Sequence, residues 1–289
     1  MSWLNHKSKQ NNLFIMTLQE KFKELNKQGS ALLATNFYNF ETLSGVLQAA
    51  VATKSPLILQ TSPSTIDYLG VDMAVAMARA GLKQYGVEGW LHLDHAESFD
   101  LIKQCLDAGY DSVMIDASEK SFSENVDITS KVTELAKNYD ANVEAELGYV
   151  AKLGQSQESA GFTNPEEAKK FVDQTGVDAL AVAIGSAHGF YKKEPKLDLE
   201  RLEQINQVTE CALVLHGGSG IPGEQIQDGI RRGIRKINVA TEIKNIFMKT
   251  LQNQLKDNDE IDLRKVFPLA TKEVDLLIQT KFSIISDIK

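Results

Sequence analysis

Five histidines occur in the 289-residue chain, and His6 lies in a polar stretch near the start. The other four stand in or at the end of short apolar runs. Trp90-Leu91-His92-Leu93-Asp94-His95-Ala96-Glu97 closes on two imidazoles and two carboxylates, Leu180–Ala187 runs into His188, and Ala212–Leu215 runs into His216. Desolvating such side chains costs kilocalories unless something compensates. A lone strand-end histidine is explained by a hydrogen-bonded structural imidazole. Three of them from three strands, meeting on one rim, supply the protein ligands of a catalytic zinc site with an open position. His95, His188 and His216 are therefore the candidate ligands. Adjacent strand residues face opposite sides, so Asp94 and His95 reach one centre only if the strand ends between them. His92 shares a face with Asp94 and is read as structural support, and Glu97 as a helix-start or supporting residue.

A second group of residues suits an anion. His216-Gly217-Gly218-Ser219-Gly220 follows one apolar run and precedes a helical pattern, and Asn238-Val239-Ala240-Thr241 follows the next. Loops rich in exposed backbone N–H groups beside a helix N-terminus favour phosphate. Gly189 and Lys192, in His188-Gly-Phe-Tyr-Lys192, can add a turn and a cation to the same pocket.

These residues need a scaffold that gathers many strand ends on one side. From Thr17, which with Glu20 forms a capping-box signature, strand and helix patterns alternate. The strands are expected over Ala31–Thr35, Pro56–Gln60, His92–His95, Ser112–Ile115, Asn142–Leu147, Ala179–Ile184, Ala212–Leu215 and Lys236–Val239. The helix following the second of these is expected to end near Gly81, and Asn164-Pro165-Glu166-Glu167 is a strong helix start. Eight apolar strands, each followed by a helix, predict a closed parallel (β/α)8 TIM barrel in which function collects at the carboxyl ends of the strands. No glycine-rich dinucleotide fingerprint follows the first strand, which counts against a doubly wound open sheet. We expect residues 1–15 to be a disordered extension, residues 16–289 to form one barrel domain with extra terminal helices, and Gly148–Phe162 to act as a lid. The net charge of −8 and pI near 5.3 argue against a nucleic-acid partner. No apolar run approaches the roughly 18 residues of a membrane span. Cys105 and Cys211 lie in apolar patterns and read as free thiols in a cytoplasmic protein.

The motifs His92-Leu-Asp94-His95, Val143-Glu-Ala-Glu146-Leu-Gly148, Ala183-Ile-Gly185-Ser-Ala-His188-Gly189, His216-Gly-Gly-Ser219-Gly and Asn238-Val-Ala-Thr241 resemble the class II, zinc-dependent ketose-bisphosphate aldolases. The resemblance extends from about Thr17 to the C-terminus. It implies Zn²⁺ on His95, His188 and His216, and an acid/base carboxylate at Asp94. Asp116 and Glu146 match carboxylates near the metal, as an alternate ligand position or as support. Ser62 matches a serine contacting the dihydroxyacetone portion of the substrate. Phosphate and a monovalent cation, Na⁺ or K⁺, would be held by Gly189, Gly217, Gly218, Ser219, Asn238, Ala240 and Thr241.

The implied reaction is reversible aldol cleavage of fructose or tagatose 1,6-bisphosphate into dihydroxyacetone phosphate and glyceraldehyde 3-phosphate, a step of carbohydrate metabolism and glycolysis carried out by a homodimer or homotetramer. The chain departs from the family pattern in two places. The mobile-loop acid is replaced by Tyr149–Glu158, leaving Glu158 as the nearby candidate, and Ala240 stands where many fructose-bisphosphate enzymes carry an acidic or amide residue. Alanine there is similar to the tagatose branch and to aldolases of deoxy-keto sugar acid phosphates. A non-catalytic aldolase-like subunit is the rival from another class, although a scaffold need not keep such costly rim residues. A Schiff-base mechanism needs a buried lysine at a strand end, and none of the expected strand ends has one.

Overall fold

The computed structural model describes residues 16–148, 150 and 161–287. The expected extension at 1–15, most of the segment read as a lid, and Glu158 therefore lie outside the described residues. Eight parallel strands close into a barrel in chain order: β1 (Leu32–Asn36), β2 (Leu57–Thr61), β3 (Gly89–Ala96), β4 (Ser112–Ile115), β5 (Asn142–Leu147), β6 (Ala179–Val182), β7 (Ala212–Leu215) and β8 (Ile234–Val239). Closure is made by β1 on β8, with Leu33 beside Ile237 and Thr35 beside Val239. The (β/α)8 expectation is met.

The helices are α1 (Leu18–Gln28), α2 (Phe40–Thr53), α3 (Pro63–Leu69), α4 (Val71–Tyr85), α5 (Phe99–Ala108), α6 (Phe122–Ala136), α7 (Pro165–Thr175), α8 (Leu199–Val208), α9 (Gly223–Arg231), α10 (Thr241–Gln254) and α11 (Leu263–Ser286). Thr17 and Glu20 form the expected reciprocal cap of α1, and Asn164 accepts from Glu166 and Glu167 to start α7. The expectation that one helix ends at Gly81 is corrected. Gly70 divides the segment into α3 and α4, and α4 continues to Tyr85 before Gly86 adopts a left-handed conformation with φ 65°. Gly81 is there for packing, because a Cβ on it would lie 2.7 Å from Leu47 Cδ1.

The strands are also not apolar on both faces. Alternate residues point outward or to the barrel axis. The outward set, including Leu33, Leu59, Leu91, Val113 and Leu213, packs with the helices in one large core. The inward set is most apolar at the amino-terminal end, where Leu18, Phe22 and Leu25 of α1 plug the barrel against Leu32, Ile58, Trp90 and Val214. Trp90 Nε1 donates to the Met16 carbonyl there, at 2.9 Å. Above that plug the axis is lined by Gln60, His92, Ser112, Asn142, Glu144 and Lys236, all buried. The column opens at the carboxyl end on Asn36, Asp94, Glu146, His216 and Asn238. A closed barrel hides this inner face from any count of hydrophobic residues along a strand. Its polar groups are tolerated because they bond to one another.

Candidate metal and aldol site

His95, Glu146, His188 and His216 converge at the carboxyl end of the barrel, each offering one ligand atom, and these atoms lie within 4.8 Å of one another. Their imidazole centroids are 4.6 Å apart for His95 and His216, 4.7 Å for His95 and His188, and 5.6 Å for His188 and His216. The expected trio meets, and Glu146 joins it as a member of the cluster. Asp116 takes a different place. It accepts from His95 Nδ1 at 2.7 Å and from the Ser118 hydroxyl, so it orients the His95 ring and is not a member of the cluster.

The strand does not end between Asp94 and His95, the condition set for both to reach one centre; β3 continues to Ala96. Its register against β4 shifts between Leu93 and Ala96, and His95 lies in the left-handed region with φ 53°. The bulge turns His95 to the side that Asp94 already faces. For a non-glycine residue this conformation costs about 1–3 kcal/mol, and such strain gathers where function needs it. Asp94 is held from both sides: Asn238 Nδ2 donates to one oxygen at 3.2 Å and Asn36 Nδ2 to the other at 3.4 Å. Gln60 Nε2 in turn donates to Asn36 Oδ1.

The outward bonds of the imidazoles settle which nitrogen faces the centre. Asp116 takes the Nδ1 proton of His95, and Glu144 Oε1 lies 2.8 Å from Nε2 of His216. Nε2 of His95 and Nδ1 of His216 then face each other at 2.8 Å. Two lone pairs at that distance repel unless a proton or a cation lies between them. Consistent with this, His95 is raised to about 9. Burial opposes its charge, but Asp94, the Asp116 bond and Glu146 overcome that cost. Burial, then the charge of Asp116, pushes Glu146 up to about 8, and its Oε2 is buried with no hydrogen-bond partner among the described residues. Burial and the neighbouring His95 drive His216 well below the usual histidine range. Asp116 is held well below the usual carboxylate range; burial works against this, and the bonds from His95 and Ser118 outweigh it. An orphaned buried carboxylate oxygen beside opposed imidazole lone pairs fits a divalent cation.

Beyond β6 the chain turns irregularly through Gly185 (φ 105°) to His188 and Gly189 (φ 98°). Tyr191, which sequence reasoning left without a role, ties this loop to the next one. Its hydroxyl accepts from Ala187 N at 2.8 Å and donates to Gly217 O at 2.9 Å. Gly217 has φ 66°, and a Cβ there would lie 2.3 Å from Ala187 O. Gly218 N donates to Asn238 O at 2.9 Å, and the buried Ser219 hydroxyl accepts from Glu242 N. The N-cap position of α10 is Ala240, which has no side chain to cap the helix that starts at Thr241, so Ser219, from the preceding loop, takes one of its first amides. Ser62 stands at the rim as the N-cap of α3. Lys192 is exposed, with no ion pair to another described residue.

A buried ion pair escaped the sequence reading. Lys236, inside β8, is fully buried and pairs with Glu144 Oε2 at 2.7 Å. It is the buried lysine that strand ends do not show, but it lies a layer below the rim and is engaged by a carboxylate. Cys105 and Cys211 are free thiols, pushed up to about 12 by burial. No helix among the described residues is long and apolar enough to cross a membrane.

Residues 16–288 match the family described as fructose-bisphosphate aldolase class-II. Among solved structures the chain is similar to the YdjI aldolase from Escherichia coli K12, at 30% identity and a TM-score of 0.83, over 93% of this chain and 96% of that one. It is also similar to a putative fructose-1,6-biphosphate aldolase from Coccidioides immitis, at 27% identity and a TM-score of 0.82, over 91% and 94% of the two chains. The Campylobacter jejuni fructose-bisphosphate aldolase shares the fold, with a TM-score of 0.77 at 22% identity over 93% and 95%. The chain belongs to the class II fructose-bisphosphate aldolase family and is a carbon–carbon lyase.

Proposed function

We propose that this aldolase is a zinc enzyme that reversibly cleaves a ketose 1,6-bisphosphate, fructose or tagatose, into dihydroxyacetone phosphate and glyceraldehyde 3-phosphate. One observation carries the reading: three imidazoles and Glu146 converge within 4.8 Å beside a carboxylate held by two amides. His95, His188 and His216, with Glu146, would hold the ion. Bound there, Zn²⁺ supplies a Lewis acid that stabilises negative charge developing on the substrate's carbonyl oxygen.

Asp94 is the base of the cleavage direction. Its carboxylate takes the proton of the C4 hydroxyl while the C3–C4 bond breaks and its electron pair stays on C3; in condensation the proton returns. Asn36 and Asn238 donate to its two oxygens and keep the carboxylate aimed. A phosphate fits against the start of α10, the Ser219 hydroxyl and the Gly217–Gly218 turn, so binding energy remote from the reaction orients the carbons that react. A monovalent cation beside that phosphate belongs to the same reading. Ala240 places no polar group at the mouth of β8, which supports a permissive C4 configuration. A homodimer or homotetramer is supported by the exposed Leu263, Leu269 and Leu276 along α11.

The test is an assay with both bisphosphates. Chelation should abolish cleavage, added zinc should restore it, and borohydride with substrate should not inactivate the enzyme. Cleavage that persists after stoichiometric metal removal overturns the proposal. Zinc-loaded protein that turns over no bisphosphate or keto sugar acid phosphate would point to the non-catalytic subunit.

A further inference from the structure

The buried polar column beneath the cluster leads directly into it. Ser112 Oγ donates to Asn142 Oδ1 at 3.0 Å, which uses its only proton. At its contact with His92 Nδ1, 2.7 Å away, Ser112 must therefore accept, so His92 carries its proton on Nδ1. The lone pair of His92 is then on Nε2, facing the Lys236 ammonium at 3.4 Å. Lys236 donates to Glu144 Oε2 at 2.7 Å, and Glu144 Oε1 lies 2.8 Å from His216 Nε2. A carboxylate only accepts, so His216 must donate from Nε2, leaving its Nδ1 lone pair for the cluster. The Asn238 amide, which donates one proton to Asp94, also lies 3.3 Å from that Nε2, but the carboxylate is nearer and charged and can only accept, so it claims the imidazole proton. Each of the two imidazoles along the column thus has one tautomer.

We propose that Lys236 and Glu144 are positioning residues for the metal centre. Through the chain Ser112–His92–Lys236–Glu144 they hold His216 as the Nε2–H tautomer, so that Nδ1 is the atom offered to the ion. Neither residue belongs to the ligand cluster. A fully buried ammonium is costly when left alone, and this one is engaged by Glu144 on one side and His92 on the other. The carboxylate that neutralises it is the same one that orients the ligand, so removing the lysine frees Glu144 to rotate away from His216. This inference rests on the reading of His95, His188 and His216 as a zinc site.

The experiment is zinc affinity by chelator competition on the wild type, Lys236→Met and Glu144→Gln, with thermal melts of each metal-free protein. Histidine-¹⁵N spectra of the wild type accompany it. Losing a group that orients a ligand typically weakens metal binding by about 10–100-fold, and we expect that loss in both variants while they remain folded. The spectra should show His216 protonated on Nε2. A purely structural pair would lower the melting temperature and leave zinc affinity unchanged. Affinity within about threefold of wild type in a folded variant overturns the proposal, and so does a His216 proton on Nδ1 in the wild type. If neither variant folds, the spectra decide. Wild-type protein that binds no zinc would instead overturn the metal reading itself, a different result from wild-type binding that the variants retain.

Discussion

Asp94 and His95 are consecutive, yet the proposed mechanism gives them separate tasks. His95 spends its strained left-handed conformation on facing His188, His216 and Glu146, whereas Asp94 stays in the regular strand alternation between two amides. Asp94→Ala should therefore keep zinc and lose turnover by about 10²–10⁴-fold, the usual contribution of a positioned acid/base. Metal analysis and kcat on the same sample check this, and loss of zinc would mean that Asp94 is a ligand. The protonation of the cluster gives a second expectation. In the metal-free protein His95 titrates at about 9 and Glu146 at about 8, so both hold protons at pH 7. An ion on His95 Nε2 and the Glu146 carboxylate displaces those protons. The bound state carries fewer protons, so zinc affinity should rise with pH and level off above about 9. Calorimetry at pH 7 in buffers of different ionisation enthalpy should record roughly two protons released per zinc. Uptake without proton release would overturn this ligand set.

At the scale of elements, the site depends on two loops being held in register. The loop after β6 brings His188, the loop after β7 follows His216, and the Tyr191 hydroxyl bridges them. At Gly217 the two loops pack tightly. Its left-handed conformation and the 2.3 Å clearance to Ala187 O leave no room for a methyl group. Gly217→Ala should cost at least about 1–2 kcal/mol from the backbone conformation alone, with the clash added. It should also weaken zinc binding and raise KM for the bisphosphate, because both loops move. Thermal melts with and without zinc check the first part and steady-state kinetics the second; unchanged values would show that the loops are coupled elsewhere.

Across the whole molecule, stability and chemistry occupy opposite ends of one barrel. The amino-terminal end is plugged by α1, with Phe22 only 3% exposed among the apolar inner residues. Phe22→Ala should destabilise the protein by about 3–5 kcal/mol while leaving zinc affinity and KM of the folded fraction unchanged. Denaturant unfolding and kinetics on one preparation check this. An altered KM would show that the plug and the site are mechanically linked through the polar column.

Much of this molecule is written locally. The caps at Thr17 and Asn164 need only neighbours three residues away, and both formed as read. The run of strand and helix patterns sufficed for the barrel, because eight parallel strands with short connections have few other closures. Strand-end histidines could be counted, and the barrel rule alone puts them on one rim. The boundary at Gly81 was misread because a glycine packed under Leu47 looks in sequence like a helix stop. What the sequence determined by itself was which residues sit near strand ends. Which of them meet, and by which atom, only the tertiary structure decided. The turn of His95 depends on its register against β4, and the partner of Lys236 lies 92 residues away on another strand. The physical reason is that periodicity along a strand tells which face a side chain takes. The group it bonds across the barrel axis depends on strand stagger and on the fit of hydrogen-bond donors to acceptors.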